Sequence, residues 1–264
     1  MNTLFNTIPR LSWILADNSI IRFLTLIVQF WYFSVSRKFI SNMNPSYFNF
    51  KFKGVSIPMY LSSNIDIAAL KEIYLLKEYE WDLEHDVKKI IDLGAHIGDT
   101  ALYYHALYPQ AKIIAVEPSP STFEILKRNT EDVPNIITVN GAVGVSDGVT
   151  TLHITESSLG TSVHERKFTK EKIQVKEYGI DSIVGLLKDK RADLIKFDIE
   201  GAEEGLFTEP HLFSTSYIGE VHFDLMSISE DSFFSAFEEF SVVTKWLSGN
   251  KRCILKATNR QIIE

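Results

Sequence analysis

The sequence predicts an α/β fold around a mostly parallel sheet, and three observations carry that prediction. From Val87 onward, short runs rich in β-branched residues alternate with stretches of helical spacing, and such alternation implies right-handed βαβ units. The first run, Lys89 to Asp92, ends in an acid and opens into a turn carrying Gly94 and Gly98. That is the pattern of a buried strand delivering the chain to a helix whose unpaired N–H groups face a ligand. The last two runs, Ser241 to Trp246 and Arg252 to Ala257, suit an antiparallel hairpin at the sheet edge.

With 264 residues, 45% of them apolar and 12% aromatic, the chain can bury a large core. One α/β domain over residues 87–264 behind an N-terminal extension over residues 1–86 is expected. The net charge is −7 and no Lys/Arg cluster exceeds a dipeptide, so the footprint for a phosphate backbone is absent and nucleic acid is not an expected partner. Cys253 is the only cysteine, which excludes an internal disulfide framework and a Cys-based zinc site and fits a reducing, cytoplasmic setting. There is no internal repeat and no low-complexity tract.

Within the extension, Ile20 to Val35 is strongly apolar, yet Arg22 and Gln29 interrupt it and it falls short of the ~20 residues a membrane span needs. Ile20, Leu24, Ile27, Val28 and Trp31 share one helical face, and Arg22, Thr25, Gln29 and Ser36 trace a polar stripe. An amphipathic helix docked on protein is expected, with peripheral membrane contact through residues 20–35 as the alternative. Were it to span, Arg37 and Lys38 would place the following domain in the cytoplasm. Met1 to Asn18 carries Asp17 and lacks a basic start and a small-residue cleavage site, so a signal peptide is not expected.

Phe48, Phe50 and Phe52 then alternate with Asn49, Lys51 and Lys53 before Gly54, which predicts a β-hairpin over Tyr47 to Leu61. Pro58 predicts that its second strand lies at an edge or carries a bulge. Ser63 or Asn64 caps a helix through about Leu76, with Ile67, Leu70, Ile73 and Tyr74 at helical spacing. In the main domain the predicted strands are Lys89 to Asp92, Lys112 to Glu117, Ile136 to Asn140, Ala192 to Ile199 and Tyr217 to Phe223. The predicted helices are Asp99 to Tyr108, Ser121 to Asn129, Ile180 to Lys188, Ala202 to Phe207 and Asp231 to Phe240. Gly148 to Lys176 reads as a polar, hairpin-like excursion.

A strand, a glycine turn and a helix serve two cofactor classes, dinucleotides and S-adenosylmethionine. The dinucleotide fingerprint Gly-x-Gly-x-x-Gly needs a middle glycine to admit the pyrophosphate, and His96 occupies that position. Asp92-Leu-Gly-Ala-His-Ile-Gly98 matches the looser Asp-x-Gly-x-x-x-Gly of S-adenosylmethionine enzymes. Asp92 is the candidate for the ammonium of the methionine end, and the amides around Gly94, Ala95, His96 and Gly98 are candidates for its carboxylate. Glu117, before Pro118, ends the second strand, where a carboxylate can accept both hydrogen bonds of a ribose diol. Asn140 ends the third strand, with Gly141, Ala142 and Val143 placed beside an adenine.

Lys196, Asp198 and Glu200 alternate onto one side of a strand as it ends. Three charges so close are costly unless paired or working on a ligand. Lys196 can bridge Asp198 or Glu200 structurally, or act on a ligand. The C-terminal edge of an open α/β sheet is where ligands bind, which favours function for the two acids. Glu203 suits the first turn of the next helix.

Together, Asp92-Leu-Gly-Ala-His-Ile-Gly98, Val116-Glu117-Pro118, Asn140-Gly-Ala-Val143 and Lys196-Phe-Asp-Ile-Glu-Gly-Ala-Glu203 resemble the FkbM family of S-adenosylmethionine-dependent methyltransferases, from about Tyr47 to His222. The most specific part is Lys-x-Asp-x-Glu-Gly-Ala-Glu; His96 stands where the family's turn usually carries an asparagine-like residue. The resemblance implies the Rossmann-like, seven-stranded class I methyltransferase fold and methylation of a hydroxyl, commonly on a sugar or secondary metabolite. The acceptor oxygen would attack the sulfonium methyl in line, and a base would take its proton. The base candidates are Asp198 and Glu200, with His222 as partner and Lys196 in support. Asp198, Glu200, Glu220 and His222 are hard donors and some O-methyltransferases use magnesium, but no spacing demands an ion and no metal ligand is assigned. A dinucleotide oxidoreductase and a noncatalytic, membrane-associated nucleoside-binding protein remain as alternatives. The first lacks a hydride-transfer constellation.

Overall fold

Two helices and a hairpin precede the sheet and pack on one of its faces. The computed structural model describes residues 2–39, 44–155, 162, 169–204, 206, 207, 209–247, 249 and 251–262. Helices α1 (Asn2–Leu15) and α2 (Ile20–Phe39) lead into the hairpin β1 (Ser46–Phe52) and β2 (Val55–Leu61). Helix α3 (Asn64–Leu70) follows, opened by a capping box between Ser63 and Asp66, and it widens into a π turn over Lys71–Leu75. The sequence reading assigned no element to α1, whose Ile8, Leu11 and Leu15 are buried.

The main domain then runs β3 (Lys89–Leu93), α4 (Asp99–Leu107), β4 (Lys112–Glu117), α5 (Pro120–Thr130), β5 (Ile136–Asn140), β6 (Ala142–Gly144), β7 (Gly148–Ile154), β8 (Glu171–Gly179), α6 (Ile180–Val184), β9 (Ala192–Phe197), β10 (Ser214–His222), α7 (Glu230–Ser235), β11 (Phe240–Trp246) and β12 (Arg252–Asn259). Seven strands form one sheet in the order β11-β12-β10-β9-β3-β4-β5. β12 is antiparallel to both neighbours, and the pairs β10/β9, β9/β3, β3/β4 and β4/β5 are parallel. This is the seven-stranded arrangement that the resemblance noted above implies. The C-terminal hairpin forms as predicted, with its second strand inserted between β10 and β11. The chain leaves β3 toward β4 and β5 and later returns to β9 on the other side of β3. The β3/β9 boundary is therefore the topological switch point, where a crevice opens at the strands' carboxyl ends.

Alternation along the strands sorts the core into two layers. Ile90, Ile113, Leu194, Ile218 and Ile254 share a cluster with Leu11, Phe30, Phe48 and Phe50 of the extension. Ile91, Ile114, Ile195 and Tyr217 point the other way, toward Ile183 of α6, Phe233 of α7 and Phe237 just after it. Residues on both sides of position 86 thus contribute to one core layer.

Several elements differ from expectation for identifiable reasons. Helix α2 buries Leu26, Phe30 and Phe33, while Ile20, Leu24 and Val28 are exposed and Ile27 and Trp31 half-buried. Phe30 stacks on Phe48 and Phe50 at ring centroids of 4.9 and 5.7 Å, so the hairpin, not the polar stripe, selects the face. Among the described residues no helix is long and apolar enough to cross a membrane. The helix expected over Ala202 to Phe207 is replaced by turns among its described residues, because Glu200 (φ 53°) and Gly201 (φ 99°) adopt left-handed conformations that redirect the chain. α6 and α7 stop earlier than expected, at Val184 and Ser235. In the polar excursion β7 and β8 pair antiparallel and β6 adds to β8 in parallel; residues 156–161 and 163–168 lie outside the described residues.

Candidate active site

The carboxyl ends of β3, β4, β9 and β10 meet at the switch point. The register pairs Leu93 with Phe197 and Phe197 with Gly219, so Gly94, Asp198 and Glu220 emerge side by side. Gly94 (φ 76°) is required there, since a Cβ would stand 2.0 Å from the Asp198 carbonyl oxygen. The close approach it permits is to the end of β9. The amides of the turn are engaged within the protein: Gly94 and Ala95 both donate to the Val116 carbonyl, Gly98 to Ala95, and His96 to Glu117 Oε2 at 3.0 Å. The turn is thus tied to the end of β4 instead of offering those N–H groups outward.

His96 also sits in the left-handed region (φ 48°). Its imidazole turns away from the crevice, Nδ1 lying 3.3 Å from Asp99 Oδ2 and Nε2 3.8 Å from Asp66 Oδ1. Burial works against its charge, but the Asp99 hydrogen bond and the fields of Asp99, Asp66 and Glu117 outweigh it and raise its pKa to about 9. Glu117 accepts from His96 N–H and from Ser119 N–H at 2.9 Å. Each oxygen keeps a further lone pair, enough for a pair of hydroxyls. Burial pushes this carboxyl up to about 7, against the pull of His96 and those amides. Asn140 donates to the carbonyls of Glu117 and Pro118 at 2.9 and 3.4 Å, and Gly141 N–H to Glu117 O at 3.1 Å. These bonds brace the β4 and β5 ends together, with Ala142 and Val143 buried behind them.

Lys196 is buried, its Nζ 3.1 Å from Asp92 Oδ1 and donating to the Gly94 carbonyl at 2.8 Å. Its bridge therefore runs to Asp92 and the glycine turn, not to Asp198 or Glu200. Asp92 is fully buried, and no hydrogen bond reaches its oxygens among the described residues beyond that ion pair. Burial raises its carboxyl to about 6 against the opposing charge of Lys196.

A second constellation lies at the β9 and β10 ends. His222 is fully buried and donates from Nδ1 to Glu203 Oε1 at 2.8 Å. That bond aims Nε2 at Glu200 Oε2, Glu220 Oε1 and Asp198 Oδ1, at 3.4, 3.6 and 3.7 Å. Burial opposes its charge, yet Glu203 and the facing acids raise its pKa to about 9. Glu220 is pushed up to about 7 by burial and by Asp198, against His222 and Arg252. Tyr79 donates to Asp198 Oδ2 at 3.2 Å. Arg252, held by a two-pronged bond to Asp224, stands 3.6 Å from Glu220 Oε1 and 3.9 Å from Glu200 Oε2.

The structure thus gathers Asp198, Glu200 and His222 into one cluster, places Asp92 and Lys196 behind the turn, and sets Glu117 and Asn140 along the neighbouring strand ends. Sequence reasoning missed Tyr79, Asp66, Asp99 and Arg252, and it assigned Glu203 to a helix turn. Only Glu203 carried a usable signal, an acid between Ala202 and the apolar Leu206 and Phe207. Asp99 follows the glycine turn directly, three residues after His96, whereas Tyr79, Asp66 and Arg252 reach the site from elements remote in sequence.

A family model described as "Methyltransferase FkbM domain" matches residues 92–252, starting later and reaching further than the resemblance read from the motifs. "Methyltransferase 1" of Beauveria bassiana is 29% identical over 155 residues, covering 50% of this chain and 62% of that protein. "Methyltransferase sdnD" of Sordaria araneosa is 38% identical over 69 residues, covering 24% of this chain and 27% of that protein. The chain thus matches less than two thirds of the length of either fungal relative. Among solved structures, Aeropyrum pernix fibrillarin with natively bound S-adenosyl-L-methionine aligns at a TM-score of 0.46 and 14% identity, covering 82% of this chain and 84% of that one. A precorrin-6y C5,15-methyltransferase from Geobacter metallireducens aligns at a TM-score of 0.39 and 13% identity, covering 72% and 88%.

Proposed function

The chain belongs to the family of FkbM-domain methyltransferases, and from that membership we propose that it is an S-adenosylmethionine-dependent O-methyltransferase acting on a hydroxyl of a sugar, glycan or secondary metabolite. The observation that carries the reading is the cluster of Asp198, Glu200 and His222 at the switch point, beside the glycine turn and the strand-end acid Glu117.

The donor set fits the cofactor. Glu117 retains lone pairs for a ribose diol, Asp92 has buried carboxylate oxygens that among the described residues meet only the Lys196 ammonium, and the acids at the strand ends complement a sulfonium and an ammonium. Glu117 and Pro118 would hold the ribose side, Asn140 to Val143 the adenine side, and Asp92 with the turn Gly94 to Gly98 the methionine side, with Asp198 close by. Because the amides of Gly94, Ala95, His96 and Gly98 are engaged within the protein, carboxylate recognition there falls to water or to other groups.

Bound S-adenosylmethionine supplies an electrophilic methyl. The protein's part is to orient an acceptor hydroxyl toward it, exclude water and receive the hydroxyl proton. Asp198 and Glu200 are the acceptor-side bases, and His222, held by Glu203, fixes the charge around them. Lys196 acts behind the turn as a positioning residue, locking β9 to the Gly94 carbonyl.

Equilibrium binding separates this reading from a dinucleotide enzyme: S-adenosylmethionine or S-adenosylhomocysteine should bind and NAD should not. A screen of hydroxylated glycans, lipid-linked sugars and secondary metabolites, with mass detection of one added methyl, identifies the acceptor. Binding of NAD in place of S-adenosylhomocysteine overturns the proposal. The exposed row Ile21, Leu24, Val28, Tyr32 and Val35 of α2 supports peripheral contact with the cytoplasmic face of a membrane.

A further inference from the structure

Two features of the β9 and β10 ends are unexplained by the roles above. His222 Nε2 is buried and has no hydrogen-bond partner among the described residues. A buried, unsatisfied ring nitrogen is costly unless something fills the space in front of it. Facing it are Glu200, Glu220 and Asp198, and the last two with the imidazole present donor atoms that all lie within 4.8 Å of one another.

The geometry points to a divalent cation site formed by His222 Nε2, Asp198 Oδ1 and a Glu220 carboxylate oxygen. Donors bound at about 2.1 Å to one ion lie roughly 3.0 to 4.2 Å apart. Nε2 stands 3.7 Å from Asp198 Oδ1 and 3.6 Å from Glu220 Oε1, inside that range. Asp198 and Glu220 come from adjacent parallel strands one register step past the Phe197–Gly219 pair, and His222 follows two residues on along the same strand. The fold thus supplies what sequence spacing alone did not, since an E-x-H pair and a remote Asp form no recognisable ligand pattern.

The surroundings match a metal centre. The Nδ1 bond to the buried Glu203 fixes the tautomer and directs the Nε2 lone pair outward, the carboxylate–histidine–metal relay of many sites. Tyr79 holds the other Asp198 oxygen, leaving Oδ1 toward the histidine. Arg252 is pinned by Asp224 at 2.9 and 3.0 Å and approaches Glu220 only to 3.6 Å, so it borders the site without filling it. The imidazole suits a transition-metal ion and the two carboxylates a hard one, and Mn2+, a first-row ion that accepts carboxylates, serves as the probe. On binding, the ion takes the Nε2 lone pair and any proton there leaves to solvent.

The role of the ion, though not its binding, rests on the function proposed above. An acceptor hydroxyl entering an open coordination position would become more acidic. Asp198 then serves as ligand, and the proton falls to Glu200.

The test is direct titration of the full chain with Mn2+, following free ion by electron paramagnetic resonance, with pulsed measurements for nitrogen coupling. The expected result is one saturable ion per chain, with 14N modulation from an imidazole. Binding should weaken at least about tenfold in Glu220→Gln and Asp198→Asn, and about 10- to 100-fold in Glu203→Gln through loss of the outer support. Glu220→Gln is the decisive variant, since its side chain is partly exposed and its thermal unfolding should match the parent. Absence of saturable binding, absence of nitrogen coupling, or unchanged affinity in both Glu220→Gln and Asp198→Asn overturns the site. A chain that binds Mn2+ in this way yet fails to bind S-adenosylhomocysteine sustains the site and overturns the methyltransferase reading, so the two failures are distinguishable.

Discussion

Tyr79 donates its hydroxyl to Asp198 Oδ2 across 3.2 Å, linking residues separated by 119 positions. The end of the extension is thereby fastened over the carboxyl ends of the strands. It is also anchored by Tyr104 donating to the Tyr79 carbonyl and Lys256 to the Glu80 carbonyl, at 3.0 and 2.7 Å. Removing the hydroxyl in Tyr79→Phe takes away a bond to a charged group, worth about 1.5–3 kcal/mol. Turnover of an identified acceptor should fall roughly ten- to hundredfold, with S-adenosylhomocysteine affinity nearly unchanged by calorimetry. Unaltered turnover would show that this bond does not position Asp198.

Asp198 itself is the sharper case. Asp198→Asn should lower turnover at least about hundredfold, the usual contribution of a positioned base, while cofactor binding persists. Retained turnover removes Asp198 from the reaction, whether as base or as ligand.

Behind the turn, Lys196 forms the ion pair with the buried Asp92. Lys196→Met leaves an uncompensated buried charge and should destabilise the fold by about 3–5 kcal/mol. The double variant Lys196→Met with Asp92→Leu removes both charges and should recover much of that loss. Urea unfolding of both single variants and the double variant measures the coupling, and additive effects would show that the pair does not act as a unit.

Stability should also depend on pH through His96. Its folded-state pKa of about 9 lies above the ordinary 6.5 because Asp99, Asp66 and Glu117 face it. A raised folded value stabilises the protein fully below the unfolded pKa, and this stabilisation is lost as pH rises through the folded one, up to about 3 kcal/mol in all. Denaturant unfolding should therefore weaken between about pH 6.5 and 9, and the difference between the parent and His96→Gln should shrink over the same interval. A constant difference would show that the charge of His96 does not support the fold.

Helix α2 yields a prediction of a different kind. Ile21 and Val28 are 76% and 66% exposed on a helix whose opposite face is buried. Replacing Ile21, Leu24 and Val28 with serine should leave thermal unfolding nearly unchanged while abolishing co-sedimentation with anionic vesicles. Absence of vesicle binding by the parent chain, including cases where the row instead joins two copies, removes the membrane contact.

Much of the fold was legible because its signals are local. Ile90, Ile91 and Leu93 form a short apolar run leading into Gly94, and Phe48, Phe50 and Phe52 alternate strictly, so both strands could be read from a few residues. The insertion of β12 between β10 and β11 could not, since a hairpin pattern does not say which of its strands pairs inward. The helix expected over Ala202 to Phe207 gives way to turns among its described residues, because Glu200 and Gly201 adopt left-handed conformations that redirect the chain, which residue spacing does not show. The amides of the glycine turn suit a ligand carboxylate on sequence alone, whereas the Val116 carbonyl takes those of Gly94 and Ala95.

By itself the sequence determined the alternation of strands and helices, the glycine turn, the strand-end acid Glu117 and the charged run from Lys196 to Glu203. These are written in neighbouring residues and depend only on backbone periodicity and residue chemistry. Tertiary structure alone decided that Lys196 serves Asp92, that α2 buries Phe30 instead of Leu24, and that Glu203, Tyr79 and Glu220 converge on Asp198 and His222. The physical reason is that a buried charge must find its partner in space, and parallel register at a switch point brings together side chains that the sequence holds far apart.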